Sequence, residues 1–197
     1  MRTFVILGNR ATTSGDFSLN DLCSGTGRLD VLLRCINAAF FLSHGLRKDT
    51  HLLLVHRGPP DPPRTIRMNG TELMHLNPDE RSTAALIKNA LSLRVPKGLE
   101  KQASEGIYIS RKDLADVLQD FDKEKVVYLH EGGADIRTEN IAMEDRIFVL
   151  GDDQGLDPKD EDLLSGCKRI SLGPKILHAH QCITILHNEL DRRAIPN

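Results

Sequence analysis

The sequence predicts an α/β protein with a mostly parallel sheet flanked by helices. Three observations support this. Short, largely apolar runs such as Arg2–Gly8 (RTFVILG), His51–His56 (HLLLVH) and Arg146–Leu150 (RIFVL) have the length and composition of buried strands. Stretches with apolar residues three or four apart lie between them, as the helices of βαβ units do. The segment Arg169–Arg193 shows the unit most clearly. An apolar run, Ile170-Ser171-Leu172, meets a Gly173-Pro174 turn. About five turns of helix follow, with Ala179, Cys182, Ile183, Leu186 and Leu190 on one face.

The remaining elements follow in order. The Ser-, Thr-, Gly-, Asn- and Asp-rich residues 9–26 read as a long loop, of the kind that carries function in compact domains. Gly27–Leu46 reads as a helix with Leu29, Leu32, Leu33, Ile36, Phe40 and Phe41 on its apolar stripe and Gly45 at its end. After the strand at 51–56, four prolines between Pro59 and Pro63 make a stiff turn, and Arg64–Met68 returns as an alternating strand. Asn77-Pro78-Asp79-Glu80 opens a helix running to about Leu93. Val95–Glu105 reads as a polar connection. Ile107–Ile109 is a brief strand, and a helix spans about Lys112–Phe121. Lys125–Leu129 is a strand ending in a His130-Glu131-Gly132-Gly133 turn. Arg146–Leu150 ends at Gly151, Asp157–Leu164 is a short helix, and Lys168–Leu172 is the last strand.

With 197 residues, 40% hydrophobic and 27% charged, the chain fits one soluble domain over 1–197. No apolar run approaches the ~18 residues of a membrane span. Four separated cysteines without a CxxC pair point to neither zinc nor disulfides, and so to a reducing cytoplasm. Charge is uneven: residues 1–98 carry 13 Lys+Arg against 8 Asp+Glu, and residues 99–197 carry 13 against 20. The basic first half, about 1–105, is the side expected to meet a polyanion.

Three strands of the second half end in glycine-bearing turns, at Leu129, Gly151 and Leu172. Ligands of open α/β sheets bind beyond such carboxyl ends, so the three turns point to one shared ligand. Neither a GxGxxG nor a GxxxxGK[ST] motif is present, which argues against a dinucleotide or phosphate-loop site. A ligand held mainly by backbone groups is expected instead. On spacing alone the Gly173 turn better suits an ordinary strand-to-helix connection, because a lone glycine in such a turn is a weak signal. His178 and His180, two residues apart, are expected on different helix faces and make poor co-ligands, so no metal is expected. Cys182, on the apolar stripe, reads as a small buried residue rather than a nucleophile.

The runs SLGPKILHAHQCITILHNELD and FVLGDDQG, with GRLD at 27–30, AFFLSHGLRKD at 39–49, NPDERS at 77–82, GIYI at 106–109 and YLHEGG at 128–133, span almost the whole chain. Together they resemble the archaeal tRNA pseudouridine-54 N1-methyltransferases of the SPOUT class. The resemblance implies a SPOUT fold with a deep C-terminal trefoil knot, a cofactor-binding region over about 125–197 and a homodimer. It implies S-adenosyl-L-methionine held by Leu129, Gly151, Leu172, Gly173, Pro174, Lys175, Ile176, Leu177 and Cys182. It also implies tRNA as substrate, with Asp30 contacting or deprotonating the base and Arg28 clamping a phosphate or a carbonyl. Asp79 is a second candidate carboxylate. Arg10, Arg28, Arg34, Arg47, Lys48, Arg57, Arg64 and Arg67 are the cations expected on RNA phosphates. A ribosomal RNA pseudouridine N1-methyltransferase and a non-catalytic module holding cofactor and RNA are the alternative readings.

Overall fold

A computed structural model describes residues 1–139 and 145–194. The chain runs β1 (Arg2–Gly8), α1 (Leu29–Phe40), β2 (Phe41–Leu42), β3 (Gly45–Leu46), β4 (Thr50–His56), β5 (Arg64–Asn69), α2 (Glu80–Ser92), β6 (Glu100–Ser104) and β7 (Ile107–Ser110). It continues through α3 (Leu114–Leu118), β8 (Val126–Asp135), β9 (Arg146–Gly151), α4 (Pro158–Leu163), β10 (Lys168–Ser171) and α5 (Ala179–Ala194).

One eight-stranded sheet has the order β10-β8-β9-β1-β4-β5-β7-β6. The five strands from β10 to β4 are parallel to their neighbours, while β5, β7 and β6 are antiparallel. The mostly parallel α/β expectation is met. Side chains of β1 alternate between two cores, as the period of two dictates. Phe4 and Ile6 join Leu52, Leu54 and Phe148 beneath α1, α2 and α5. Val5 and Leu7 join Leu53, Val55 and Val149 beneath α3 and the residues around α4. α5 lies against α1 and buries Ile183, Leu186 and Leu190 there.

Helix starts follow local chemistry. Asp79 caps α2 by accepting from Ser82 N at 2.8 Å. Asp157 caps α4 by accepting from Asp160 N at 2.8 Å, with Pro158 at the first helical position.

Four elements differ from the sequence expectation. α1 is shorter than 27–46: the chain leaves it at Phe41 and makes a small antiparallel hairpin, so Gly45 lies in β3 and does not end the helix. α3 is likewise shorter, at Leu114–Leu118. Within 95–105, the polar segment Glu100–Ser104 pairs with β7 as an edge strand. Finally, His130–Gly133 does not terminate a strand. Arg169 of β10 pairs with Tyr128, but the next residue, Ile170, pairs with Ala134. β8 therefore continues through a five-residue bulge, Leu129–Gly133, with its backbone outside the regular ladder.

Candidate active site

The carboxyl ends of β8, β9 and β10 lie side by side, because these strands are adjacent and parallel. Two contiguous hollows open there. The larger, about 440 Å³, lies between the β8 bulge, the Gly151–Leu156 turn after β9 and the start of α5. The smaller, about 80 Å³, lies between the same bulge and the segment after β10. Leu129, Ile176, Leu177 and Cys182 line both, Gly151 lines the larger, and Leu172, Gly173 and Lys175 line the smaller. Of the expected cofactor residues only Pro174 lines neither; it is exposed in the loop between β10 and α5. The volume is in the range of small-molecule sites, ~300–1,000 Å³.

Gly151 is needed for close approach. A Cβ there would come within 2.4–2.5 Å of three backbone atoms of Gly155. The turn is fixed from the other side by Asn9. Its backbone N donates to Asp152 Oδ2 at 2.8 Å, and its Nδ2 donates to Asp152 Oδ1 at 3.3 Å and to the Gly155 carbonyl at 2.9 Å. Burial pushes the Asp152 carboxyl above its usual range against those bonds.

Cys182 sits half-buried at the wall, its Sγ 3.9 Å from the Leu177 carbonyl, and burial raises its thiol pKa. A thiol so raised is a poor nucleophile, in keeping with a wall residue. The histidines depart from expectation. α5 begins only at Ala179, so His178 precedes the helix, and its ring stacks on His180 with centroids 5.7 Å apart.

Asp30, Arg28 and Arg34 form a second cluster at the start of α1. Asp30 is buried, its side chain only 6% exposed. Arg28 grips it through Nε at 2.9 Å and Nη2 at 3.2 Å, and Arg34 through Nη2 at 2.7 Å. Burial would raise this carboxyl, but the Arg28 hydrogen bond and the charges of Arg28 and Arg34 hold it below the usual carboxylate range. Gly27 and Arg28 both take left-handed backbone, φ 63° and 68°. Gly27 has no alternative, since a Cβ would lie 1.7 Å from the Arg10 carbonyl oxygen. For Arg28 the conformation is unfavourable by about 1 kcal/mol or more, and the grip on Asp30 holds it there.

The two halves of the site meet at Asp153. Its Oδ2 lies 2.7 Å from Arg10 Nη2 and 3.6 Å from Arg28 Nη1, and its residue lines the larger hollow with Val31 of α1. The sequence reading did not single out Asn9, Asp152 or Asp153. Both aspartates stand in FVLGDDQG, and Asn9 immediately follows the first strand.

The set of cations expected on RNA is narrower in the structure. Arg47 pairs with Asp191 and Arg57 with Asp160 and Asp113. Arg67 pairs with Glu100, Arg64 is buried on the Leu93 carbonyl, and Lys48 donates to the Leu73 carbonyl. These hold the fold. Arg10, Arg28 and Arg34 remain at the site. Asp79, the second candidate carboxylate, is engaged as the α2 cap, with Ser82 N and Oγ donating to it.

An open α/β sheet with a nucleotide-sized hollow at its parallel strand ends, beside a buried carboxylate set between arginines, defines a cofactor-dependent enzyme that acts on an anionic substrate. The chain belongs to the family described as "Putative SAM-dependent RNA methyltransferase", whose model matches residues 1–195. It is 47% identical over 195 residues to the tRNA (pseudouridine(54)-N(1))-methyltransferase of Methanocella arvoryzae, covering 98% of this chain and 100% of that protein. It is 45% identical to the enzyme of the same name from Methanosarcina acetivorans, covering 98% and 92%. In fold it is similar to Archaeoglobus fulgidus Nep1, solved bound to S-adenosylhomocysteine, with a TM-score of 0.63 at 14% identity over 98% and 99% of the two chains.

S-adenosyl-L-methionine fits what the hollows offer. Five residues of β8 stand outside the regular ladder, a glycine turn faces them, and Leu129, Ile176 and Leu177 give apolar walls.

Proposed function

We propose that the chain methylates N1 of pseudouridine 54 in the T-loop of tRNA. The observation that carries the reading is the junction at Asp153, which joins the cofactor hollow to the Asp30–Arg28–Arg34 cluster. The names of relatives that match 98% of this chain support the choice of base and position.

Pseudouridine is attached to its sugar through carbon, so its N1 carries a proton that uridine lacks. Bound S-adenosyl-L-methionine supplies an electrophilic methyl group. Asp30 stays ionised because of its two arginines, and so accepts a hydrogen bond from N1–H and fixes the nitrogen for attack. With the cofactor bound, the N1–H proton would pass to the Asp30 carboxylate as the N1–carbon bond forms and the methyl–sulfur bond breaks. Arg28 and Arg34 then stabilise negative charge on the base carbonyls or a flanking phosphate. Leu129, Gly151, the Leu172–Leu177 segment and Cys182 hold the cofactor. His178 and Leu177 also line the larger hollow.

The likeness to solved SPOUT-type folds supports a C-terminal knot formed by β10 and α5, a cofactor-binding region over about 125–197 and an RNA-facing region over about 1–105. A homodimer acting in the cytoplasm completes the reading, and no resident metal takes part.

The test is transfer of labelled methyl to paired T-loop RNAs, one with uridine and one with pseudouridine at position 54. Incorporation only into the pseudouridine RNA is expected. Equal incorporation into both would exclude N1 as the target. Incorporation into neither, with cofactor binding intact, would turn the assignment toward ribosomal RNA or a non-catalytic role.

A further inference from the structure

Asp153 occupies an unusual position for a surface carboxylate. Its side chain is turned in, 22% exposed, between Arg10 and Arg28, which keep 52% and 36% of their side-chain surfaces exposed. Two guanidiniums converge on the single oxygen Oδ2 while much of each stays in water. That is how arginines grip a phosphate.

The Arg28 side chain is anchored, and Arg10 follows an anchored residue. Arg28 is fixed through Nε and Nη2 by Asp30, which leaves its Nη1 for Asp153. Arg10 follows Asn9, which is bonded to Asp152 and Gly155. Asn9 also holds the turn through Asp152, so the turn keeps an anchor when Asp153 lets go.

We propose that Arg10 and Arg28 form a binding site for one backbone phosphate of the RNA, and that Asp153 fills this site in the free chain as an internal stand-in. The proposal rests on the RNA methyltransferase reading above. A phosphodiester carries one negative charge, as Asp153 does, so the exchange keeps the arginine pair neutralised. RNA must therefore displace a tethered carboxylate as well as mobile ions. Because Asp153 belongs to the wall of the larger hollow, phosphate arrival also frees a side chain beside the cofactor.

The experiment measures affinity of the full chain for a T-loop hairpin over a range of salt concentrations, for wild type, Asp153→Asn and Arg10→Gln, singly and combined. Asp153→Asn is expected to bind RNA about twofold to fivefold tighter, the range set by removing one exposed ion pair that competes with RNA. The gain should vanish in the Arg10→Gln background. Arg10→Gln alone should lower the slope of log affinity against log salt by about one. A purely structural Asp153 would not give tighter binding on its removal. Unchanged or weaker RNA binding by Asp153→Asn overturns the proposal. Should that variant fail to fold, an unchanged salt slope for Arg10→Gln overturns it instead. Tighter binding of inorganic phosphate without tighter binding of RNA would reassign the site to a free anion. Wild-type chain that neither binds nor methylates RNA would count against the broader reading. Wild-type activity without the Asp153→Asn gain counts against this one only.

Discussion

Gly151→Ala tests the cofactor site where its geometry is tightest. The new Cβ would stand 2.4 Å from the carbonyl carbon, 2.5 Å from Cα and 2.5 Å from the oxygen of Gly155. Ordinary contact begins near 3.4 Å, so the Asp152–Gly155 turn must retreat by about 1 Å. The obstacle is backbone, so no side chain can swing aside. The retreat strains the 2.9 Å bond from Asn9 Nδ2 to the Gly155 carbonyl. Losing that bond costs about 0.5–1.5 kcal/mol, and overpacking adds about 1–3 kcal/mol. Stability should fall by roughly 1.5–4.5 kcal/mol, read by denaturant unfolding. A wall displaced by ~1 Å should weaken cofactor binding by about tenfold to a hundredfold, roughly 1.4–2.8 kcal/mol, read by equilibrium dialysis of labelled S-adenosyl-L-methionine. Gly132→Ala is the comparison for a yielding neighbour, because its Cβ would meet the His130 ring at 3.2 Å and no backbone, and should weaken cofactor binding less than Gly151→Ala. Cofactor affinity within twofold of wild type for Gly151→Ala, in a folded protein, would refute the assignment of this turn as the cofactor wall.

Other perturbations separate catalysis from folding. Asp30→Asn should lower methyl transfer by about a hundredfold or more while cofactor affinity stays within twofold, and undiminished single-turnover rates would remove Asp30 from the chemistry. Arg57→Met should destabilise the fold by about 3–5 kcal/mol, because Asp160, whose side chain is only 3% exposed, loses both guanidinium bonds, at 2.5 and 2.8 Å. A change in urea stability below ~1 kcal/mol would contradict that. Stability should also fall on acidification. His187 accepts from Arg2 at Nδ1 and donates to the Ala39 carbonyl from Nε2, and His56 bonds the Thr12 carbonyl; burial pushes each pKa down from 6.5 to about 4. Between those values the unfolded chain binds protons that the folded chain refuses. Each histidine therefore withdraws about 1.4 kcal/mol per pH unit as pH drops from 6.5 towards 4, with no further loss from them below that. Urea midpoints equal at pH 6.5 and 4.5 would show that these imidazoles are not held neutral.

How much of this was legible in the sequence follows from where the information sits. β1, β4 and β9 announce themselves because strands buried on both faces are apolar without alternation, and α2 and α4 because Asp79 and Asp157 carry their own caps. β6, Glu-Lys-Gln-Ala-Ser, is a solvent-facing edge whose pairing with β7 leaves no hydrophobic trace. The two-residue strands after α1 are too short for any period. Gly132-Gly133 reads as a strand end, yet β10 lies so close to Gly133 that a Cβ would meet Ile170 N at 2.5 Å, and pairing resumes at once. The three glycine turns were visible, and their convergence depends on a strand order, β10-β8-β9, that sequence adjacency does not reveal. The same limit applies to charge. A count of basic residues in the first half cannot tell Arg57, spent on Asp160 over a hundred positions away, from Arg10 and Arg28 at the site.

The bulge in β8 bears on how such a site can diversify. Leu129–Gly133 hangs between two fixed rungs, Tyr128 with Arg169 and Ala134 with Ile170. Its length and chemistry are uncoupled from the registration of every other strand. A residue added or removed there alters the ligand's surroundings and leaves the inward or outward facing of β8, β9 and β10 unchanged, whereas the same change elsewhere in these strands would invert a face. The segment is thus a replaceable cassette in a rigid frame. Within it only Gly133 is bound to the frame, by its close approach to Ile170, so Leu129–Gly132 can change while the sheet keeps its register.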